Sequence, residues 1–118
     1  MEENEQNLEI IMGLIANAGN AKSFAFEAIA AAKQNDFELA DSKLKEANNA
    51  LIKAHDSQTK MLSDEASGKH SKLTLLSVHS QDHLMTSITF LDLAREIIDL
   101  YKIVLRKTSE VGKLQKDI

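Results

Sequence analysis

Apolar residues recur at helical spacing along nearly the whole chain. Leu8, Ile11, Ile15, Ala18, Ala25, Ala28 and Ala32 mark one face, with Ile10, Leu14 and Ile29 beside it, and predict a first helix from about Glu5 to Lys33. Gly13 and Gly19 lie inside it. Each costs about 1 kcal/mol against alanine in a helix interior, which fits small residues that let a neighbouring helix come close. Gln34-Asn35-Asp36 reads as a turn, with Asn35 the expected N-cap and Glu38 three residues on, at capping-box spacing. A second helix then follows Phe37, Ala40, Leu44, Ala47, Leu51, Ala54, Gln58 and Met61, whose alternating steps of three and four make a coiled-coil-like seam. It is expected to end near Ala66, with Ser67-Gly68 as the stop and Lys69-His70 in an exposed loop.

The third helix is expected to start near Ser71 and run to about Lys107. One seam is Leu76, Ser80, His83, Ser87, Phe90, Ala94, Ile97, Tyr101 and Val104, and a second column is Leu84, Leu91, Ile98 and Leu105. A helix apolar over most of its circumference must be covered over most of it. Two other helices cannot easily cover that much, so this helix is expected to face its own copies across an oligomer interface. The pattern fades after Lys107, and residues 108–118 read as a frayed tail beyond a single domain of residues 1–107. The fold class is therefore all-α, an antiparallel three-helix bundle of rods about 45 Å long.

Composition narrows the function. Proline and cysteine are absent, so the chain has neither a disulfide nor a thiol nucleophile. The net charge is −4 with no basic run, which argues against nucleic acid as a partner and weakly for a basic protein. Glu2-Glu3-Asn4-Glu5 is the opposite of a signal peptide's start, and no apolar run approaches the ~18 residues of a membrane helix. A cytoplasmic protein without direct membrane insertion is expected.

The chemistry concentrates in Val78-His79-Ser80-Gln81-Asp82-His83-Leu84-Met85-Thr86. On a helix, His79 with Asp82 is an i, i+3 pair and His79 with His83 an i, i+4 pair, so all three share roughly one side. A lone carboxylate at Asp82 among apolar residues needs a proton, a cation or a metal. If copies of Asp82 converge on a cyclic axis, hard oxygen ligands suit Mg²⁺ or a similar divalent cation; otherwise Asp82 is hydrogen-bonded on a partly wet face. An imidazole such as His79 can accept a phosphoryl group and, once protonated, release it. Phosphoryl transfer needs mainly positioning and charge stabilisation, which Gln81, Thr86 and a partner protein are placed to supply. His79 and His83 lack the glutamate of H-E-x-x-H, no glycine elbow accompanies Ser80 or Ser87, and no G-x-x-x-x-G-K-[ST] loop is present to hold ATP.

The stretch from Val78 to Thr86 closely resembles the V-H-A-Q-D-H-L-M signature of the lactose/cellobiose-type enzyme IIA proteins of the bacterial sugar phosphotransferase system, with Ser80 as a mild departure. Met12-Gly13-Leu14-Ile15, Ala18-Gly19-Asn20-Ala21-Lys22-Ser23 and Ala54-His55-Asp56-Ser57-Gln58-Thr59 resemble that family's first- and second-helix motifs. The resemblance implies a homotrimer of three-helix bundles. It implies that His79 is the phosphorylated nucleophile, taking the group from HPr and passing it to a cysteine of IIB, with the IIC permease involved indirectly in uptake of a disaccharide. Asp82 would be a metal ligand shared by three subunits, with Gln81 and His83 supporting the site. His55 and Gln58 are candidates to reach it from the second helix. The competing reading is a non-catalytic helical oligomeric scaffold with a structural metal at Asp82.

Overall fold

A computed structural model describes residues 2–117, with side chains placed for residues 7–116. It holds three helices, α1 (Glu2–Lys33), α2 (Phe37–Ala66) and α3 (Leu75–Asp117), in an antiparallel bundle 75 × 20 × 20 Å in extent. The narrow cross-section follows from the residues at the centre. Ala18, Ala25 and Ala32 on α1, Ala40, Ala47 and Ala54 on α2, and Ser80, Ser87 and Ala94 on α3 are all buried. In each helix these small residues recur every seven positions, so backbones approach closely along the bundle while Leu14, Leu84, Leu91 and Ile98 fill the space between layers. The central line of α1 is Ile11, Leu14, Ala18, Ala21, Ala25, Ala28 and Ala32; Leu8, expected on it, is exposed.

The first turn differs from expectation. Asn35 does not cap α2. It adopts the left-handed conformation, φ 62°, and terminates α1: the Asn35 N–H donates to the Ala32 carbonyl and the Asp36 N–H to the Ala31 carbonyl, both at 3.0 Å. Asparagine tolerates positive φ, and this pair of bonds satisfies two carbonyls that the helix end leaves free. The cap of α2 is Asp36, whose carboxylate accepts from the Leu39 N–H at 3.1 Å. The end of α2 repeats the same device with Gly68 at φ 93°, where the Gly68 N–H reaches the Glu65 carbonyl and the Lys69 N–H reaches that of Asp64. Ala66 as the last residue and Ser67-Gly68 as the stop agree with the sequence pattern.

α3 begins four residues later than Ser71. Thr74 is its cap: Thr74 Oγ1 accepts from the Ser77 N–H at 3.1 Å, and Ser77 Oγ accepts from the Thr74 N–H at 2.9 Å. This is a reciprocal capping box with serine in the position usually held by Glu or Gln. At its other end α3 stays helical to Asp117, through the segment expected to be frayed. No helix is long and apolar enough to cross a membrane among the described residues.

Candidate functional site

His79 stands in the second turn of α3, one turn past the Thr74 cap. The position is close to the N-terminal end of α3, where the backbone dipoles present their positive end. The ring is exposed. It stacks on the half-buried His83 ring, with centroids 5.8 Å apart and planes 11° from parallel. The His83 ring is backed in turn by α1: a Cβ built on Gly19 would lie 3.4 Å from His83 Nε2. That is an ordinary van der Waals distance to a side chain, and nothing lies within 4 Å of a Cβ at Gly13, so neither glycine marks the close approach of a neighbouring helix that the sequence suggested.

Gln81 lies on the other flank of α3 and turns to α2. Its Oε1 accepts from Gln58 Nε2 at 2.7 Å, and its own Nε2 points to Met61 Sδ at 3.7 Å. Gln58 is therefore joined to the polar turn through Gln81. His55 is not joined to it; it lines a separate depression between α2 and α3 with Asn48, Asp92 and Arg95. Thr86 Oγ1 donates back to the carbonyls of Asp82 and His83, at 2.9 and 3.2 Å, and braces the helix where these side chains emerge.

Asp82 is exposed within one chain rather than buried. Its surroundings explain the apolar pattern around it. At about 100° per residue, the large exposed hydrophobics of α3 from Val78 onward fall within one sector about 100° wide. They are Val78, Met85, Leu93, Leu100, Ile103, Val104, Val111 and Leu114. Asp82 sits near the middle of that sector and His79 about 60° round from Asp82, at its edge. The buried line of Ser80, Leu84, Ser87, Leu91, Ala94 and Ile98 occupies the opposite side. Among the described residues, no group of three His, Cys, Asp or Glu side chains of one chain gathers as a metal site.

The model of the lactose/cellobiose-specific IIA subunits of the phosphotransferase system matches residues 9–102. This chain belongs to that family. It is 50% identical over 99 residues to the lichenan-specific phosphotransferase enzyme IIA component of Bacillus subtilis, a match covering 84% of this chain and 90% of that protein. It is 42% identical over 100 residues to the N,N'-diacetylchitobiose-specific EIIA component of Escherichia coli K12, covering 85% and 86%. Among solved structures it resembles the cellobiose-specific enzyme IIA of Bacillus anthracis, with a TM-score of 0.82 and 44% identity over 84% of this chain and 91% of that one. It also resembles the IIA(chitobiose) of Escherichia coli solved in complex with HPr, with a TM-score of 0.72 and 41% identity over 81% and 93%. The chain is thus a phosphotransferase-system component of the IIA type, and the fold expected from the helical pattern is the fold of these relatives.

Proposed function

We propose that the chain is a phosphocarrier that accepts a phosphoryl group on His79 from phosphorylated HPr and passes it to a cysteine of a IIB component during disaccharide uptake. The observation that carries this reading is the placement of His79: exposed, in the second turn of α3, with its ring nearly parallel to that of His83. A ring nitrogen of His79 attacks phosphorus as the phosphorus–nitrogen bond of the donor breaks, so the donor imidazole is released and one phosphohistidine replaces another. The helix N-terminus favours the dianionic group, and the stack on His83 limits rotation of the ring. In the second step a thiolate takes the phosphoryl group and the imidazole leaves, helped by a proton on its other nitrogen. HPr as donor is supported by the relative solved in complex with HPr, and the disaccharide class by relatives specific for lichenan, cellobiose and diacetylchitobiose.

The working form is a homotrimer in which the apolar sector of α3 faces the axis. A single bundle leaves that sector in water, and its hydrophobics are large enough that leaving them uncovered is costly. Three copies of Asp82 then converge and repel one another unless a cation lies between them. Three carboxylates form a hard oxygen set that fits Mg²⁺ or a similar divalent ion; Asp82 of each copy would hold it, and the ion would supply charge neutralisation at the interface. His79, at the edge of the sector, stays reachable from outside.

The test is incubation of the protein with phosphorylated HPr, read by mass spectrometry. A gain of one phosphoryl group per chain is expected, absent in His79→Ala and discharged on addition of IIB. No gain in the unaltered chain would sink the proposal.

A further inference from the structure

We propose that Met61 is a site of oxidation by peroxides, and that the Gln81 amide is set to receive the oxygen it gains. The proposal stands apart from the phosphocarrier reading. The chain has no cysteine, so its 4 methionines carry its only oxidisable sulfurs. Two of them end a line of side chains that ties α2 to α3. Gln81 Nε2 donates to Met61 Sδ at 3.7 Å, Gln81 Oε1 accepts from Gln58 Nε2 at 2.7 Å, and Gln58 Nε2 also donates to Met85 Sδ at 3.6 Å. Two amides thus direct N–H groups at thioethers, which are weak acceptors. Met85 belongs to the apolar sector of α3 and is open only while that sector is uncovered. Met61 stands beside open space in any case. With Gln81, Val78, Ile11 and Leu73 it lines a cleft of about 400 Å³ between α1, the end of α2 and the segment that leads into α3.

The oxidant is a peroxide. Its oxygen–oxygen bond breaks as the sulfur–oxygen bond forms, the thioether loses two electrons, and hydrogen peroxide leaves as water. On a helical seam the product is ordinarily disruptive, because it sets a polar oxygen among apolar side chains. Met61 is half-buried and packs against the core, so its sulfoxide needs a donor. The geometry supplies one. A sulfur–oxygen bond of about 1.5 Å and a hydrogen bond of about 2.8 Å, meeting at roughly 120°, set sulfur and nitrogen about 3.8 Å apart. Gln81 Nε2 already stands 3.7 Å from the sulfur, so a rotation about the Met61 Cγ–Sδ bond brings the oxygen to it. Gln81 Oε1 keeps its bond from Gln58. A sulfoxide oxygen accepts more strongly than a thioether. Oxidation therefore exchanges a loose tie between α2 and α3 for a firm one, at the residue two past His79 and one before Asp82.

The experiment treats the full chain with hydrogen peroxide, maps the added oxygen by peptide mass spectrometry and follows melting by circular dichroism at fixed protein concentration. Met12→Leu/Met85→Leu is the background, so that Met61 is the sulfur under test and Met1 is read on its own peptide. Gln81→Glu in that background keeps an oxygen for Gln58 and removes the donor to Met61. Met61 is expected to gain one oxygen in both proteins. The melting temperature of the background should hold or rise on oxidation, and that of the Gln81→Glu protein should fall by about 3 °C or more. A Met61 peptide left unmodified after Met1 is fully converted overturns the oxidation site. Equal falls in the two proteins overturn Gln81 as the receiver. A second reading needs no change at Gln81: in NMR spectra of the background, a Gln81 side-chain amide proton should move downfield on oxidation, and an unmoved resonance overturns the proposal.

Discussion

Ser87 offers a sharp test of how the core of this bundle is built. Its side chain is fully buried, and its Oγ has no hydrogen-bond partner. Ser80, one heptad earlier and equally buried, donates to the Ser77 carbonyl at 2.7 Å. The two serines occupy equivalent places on the buried line of α3 but differ in whether the hydroxyl is satisfied. Leaving a buried hydroxyl unpaired costs about 1–3 kcal/mol, while deleting its oxygen leaves a void of only one atom. Ser87→Ala should therefore stabilise the protein by about 1 kcal/mol, and helix propensity acts in the same direction. For a chain of this size that is a rise in melting temperature of roughly 4 °C. Ser80→Ala, which gives up a made bond, should be close to neutral or mildly destabilising. Ser87→Leu should cost about 1–3 kcal/mol or more, because an added isobutyl group forces apart backbones spaced for alanine. The assay is thermal and urea unfolding followed by circular dichroism, with the protein concentration held fixed because the proposed association would add to apparent stability. If Ser87→Ala loses 1 kcal/mol or more, the hydroxyl is bonded in solution and the small-residue argument for this layer is wrong.

Four further outcomes are expected. Thr74→Ala should lose about 1 kcal/mol, since it removes one half of the reciprocal cap of α3, and should slow phosphorylation of His79; urea midpoints and rates identical to the unaltered chain would refute both. Gly19→Leu should keep the helical circular dichroism signal yet slow phosphoryl acceptance by more than about tenfold, because a Cβ there already lies in contact with His83 Nε2 at 3.4 Å and the leucine's further carbons would press on the ring; an unchanged rate would show that the histidine stack does not position His79. Asp82→Leu should leave the assembly intact or tighten it by about 1–4 kcal/mol, as converged charges are replaced by apolar surface, and monomers in sedimentation would contradict that. The hydrogen bond from Lys43 to Glu27 raises the Lys43 ammonium above its ordinary range. While its carboxylate partners stay ionised, the stabilisation is then fully present below the ordinary lysine value of about 10.4 and is lost as pH climbs through the raised one; the melting-temperature gap between the unaltered chain and Lys43→Met should narrow across that alkaline window.

The legible parts of the fold were those where a single physical signal dominates. The three–four steps from Phe37 to Met61 name the buried side of α2 because they run unbroken while the helix's other apolar residues, such as Leu39, Ile52 and Leu62, fall off that period and are exposed, and Gly68 marks its end because few other residues accept positive φ. The turn at Asn35-Asp36 was harder. Both residues cap helices and both suit turns, and the choice between them was settled by which one takes φ 62°, a property of the whole turn and not of either residue. The start of α3 was misplaced for a similar reason: Ser71 and Thr74 both cap well, and the deciding partner was Ser77, which does not stand out as a capping-box residue. The buried side of α3 was obscured because hydrophobics surround most of the helix and two of its fully buried residues are serines. At the site, local pairs such as His79 with His83 follow from spacing within one helix. The contacts of Gln81 with Gln58 and of His83 with Gly19 depend on the relative heights of separate helices, which no spacing within one helix encodes.

If His79 carries the phosphoryl group, as proposed, its placement answers two opposed demands. On the proposed function two different proteins would reach its ring, which requires exposure, yet the ring would have to keep one orientation, which requires contacts. A residue on the buried line of α3 would satisfy only the second demand, and one opposite a solvent-filled groove only the first. His79 lies at the border between the surface that packs on α1 and the apolar sector, so its ring projects outward while His83, four residues on, dips inward against Gly19 and supplies the rigid wall. Asp82 is displaced from His79 by about 60° around the helix, which puts the carboxylate inside the sector and the imidazole at its rim. On the proposed function the i, i+3 and i, i+4 spacings of the polar turn would separate roles instead of combining them: Asp82 would face the copies and His79 the visiting proteins, while His83 faces the core. A shift of this motif by one position toward the C-terminus would rotate all three by about 100° and bring the histidine onto the buried line. That is why the motif depends on its register against the small-residue ladder beneath it.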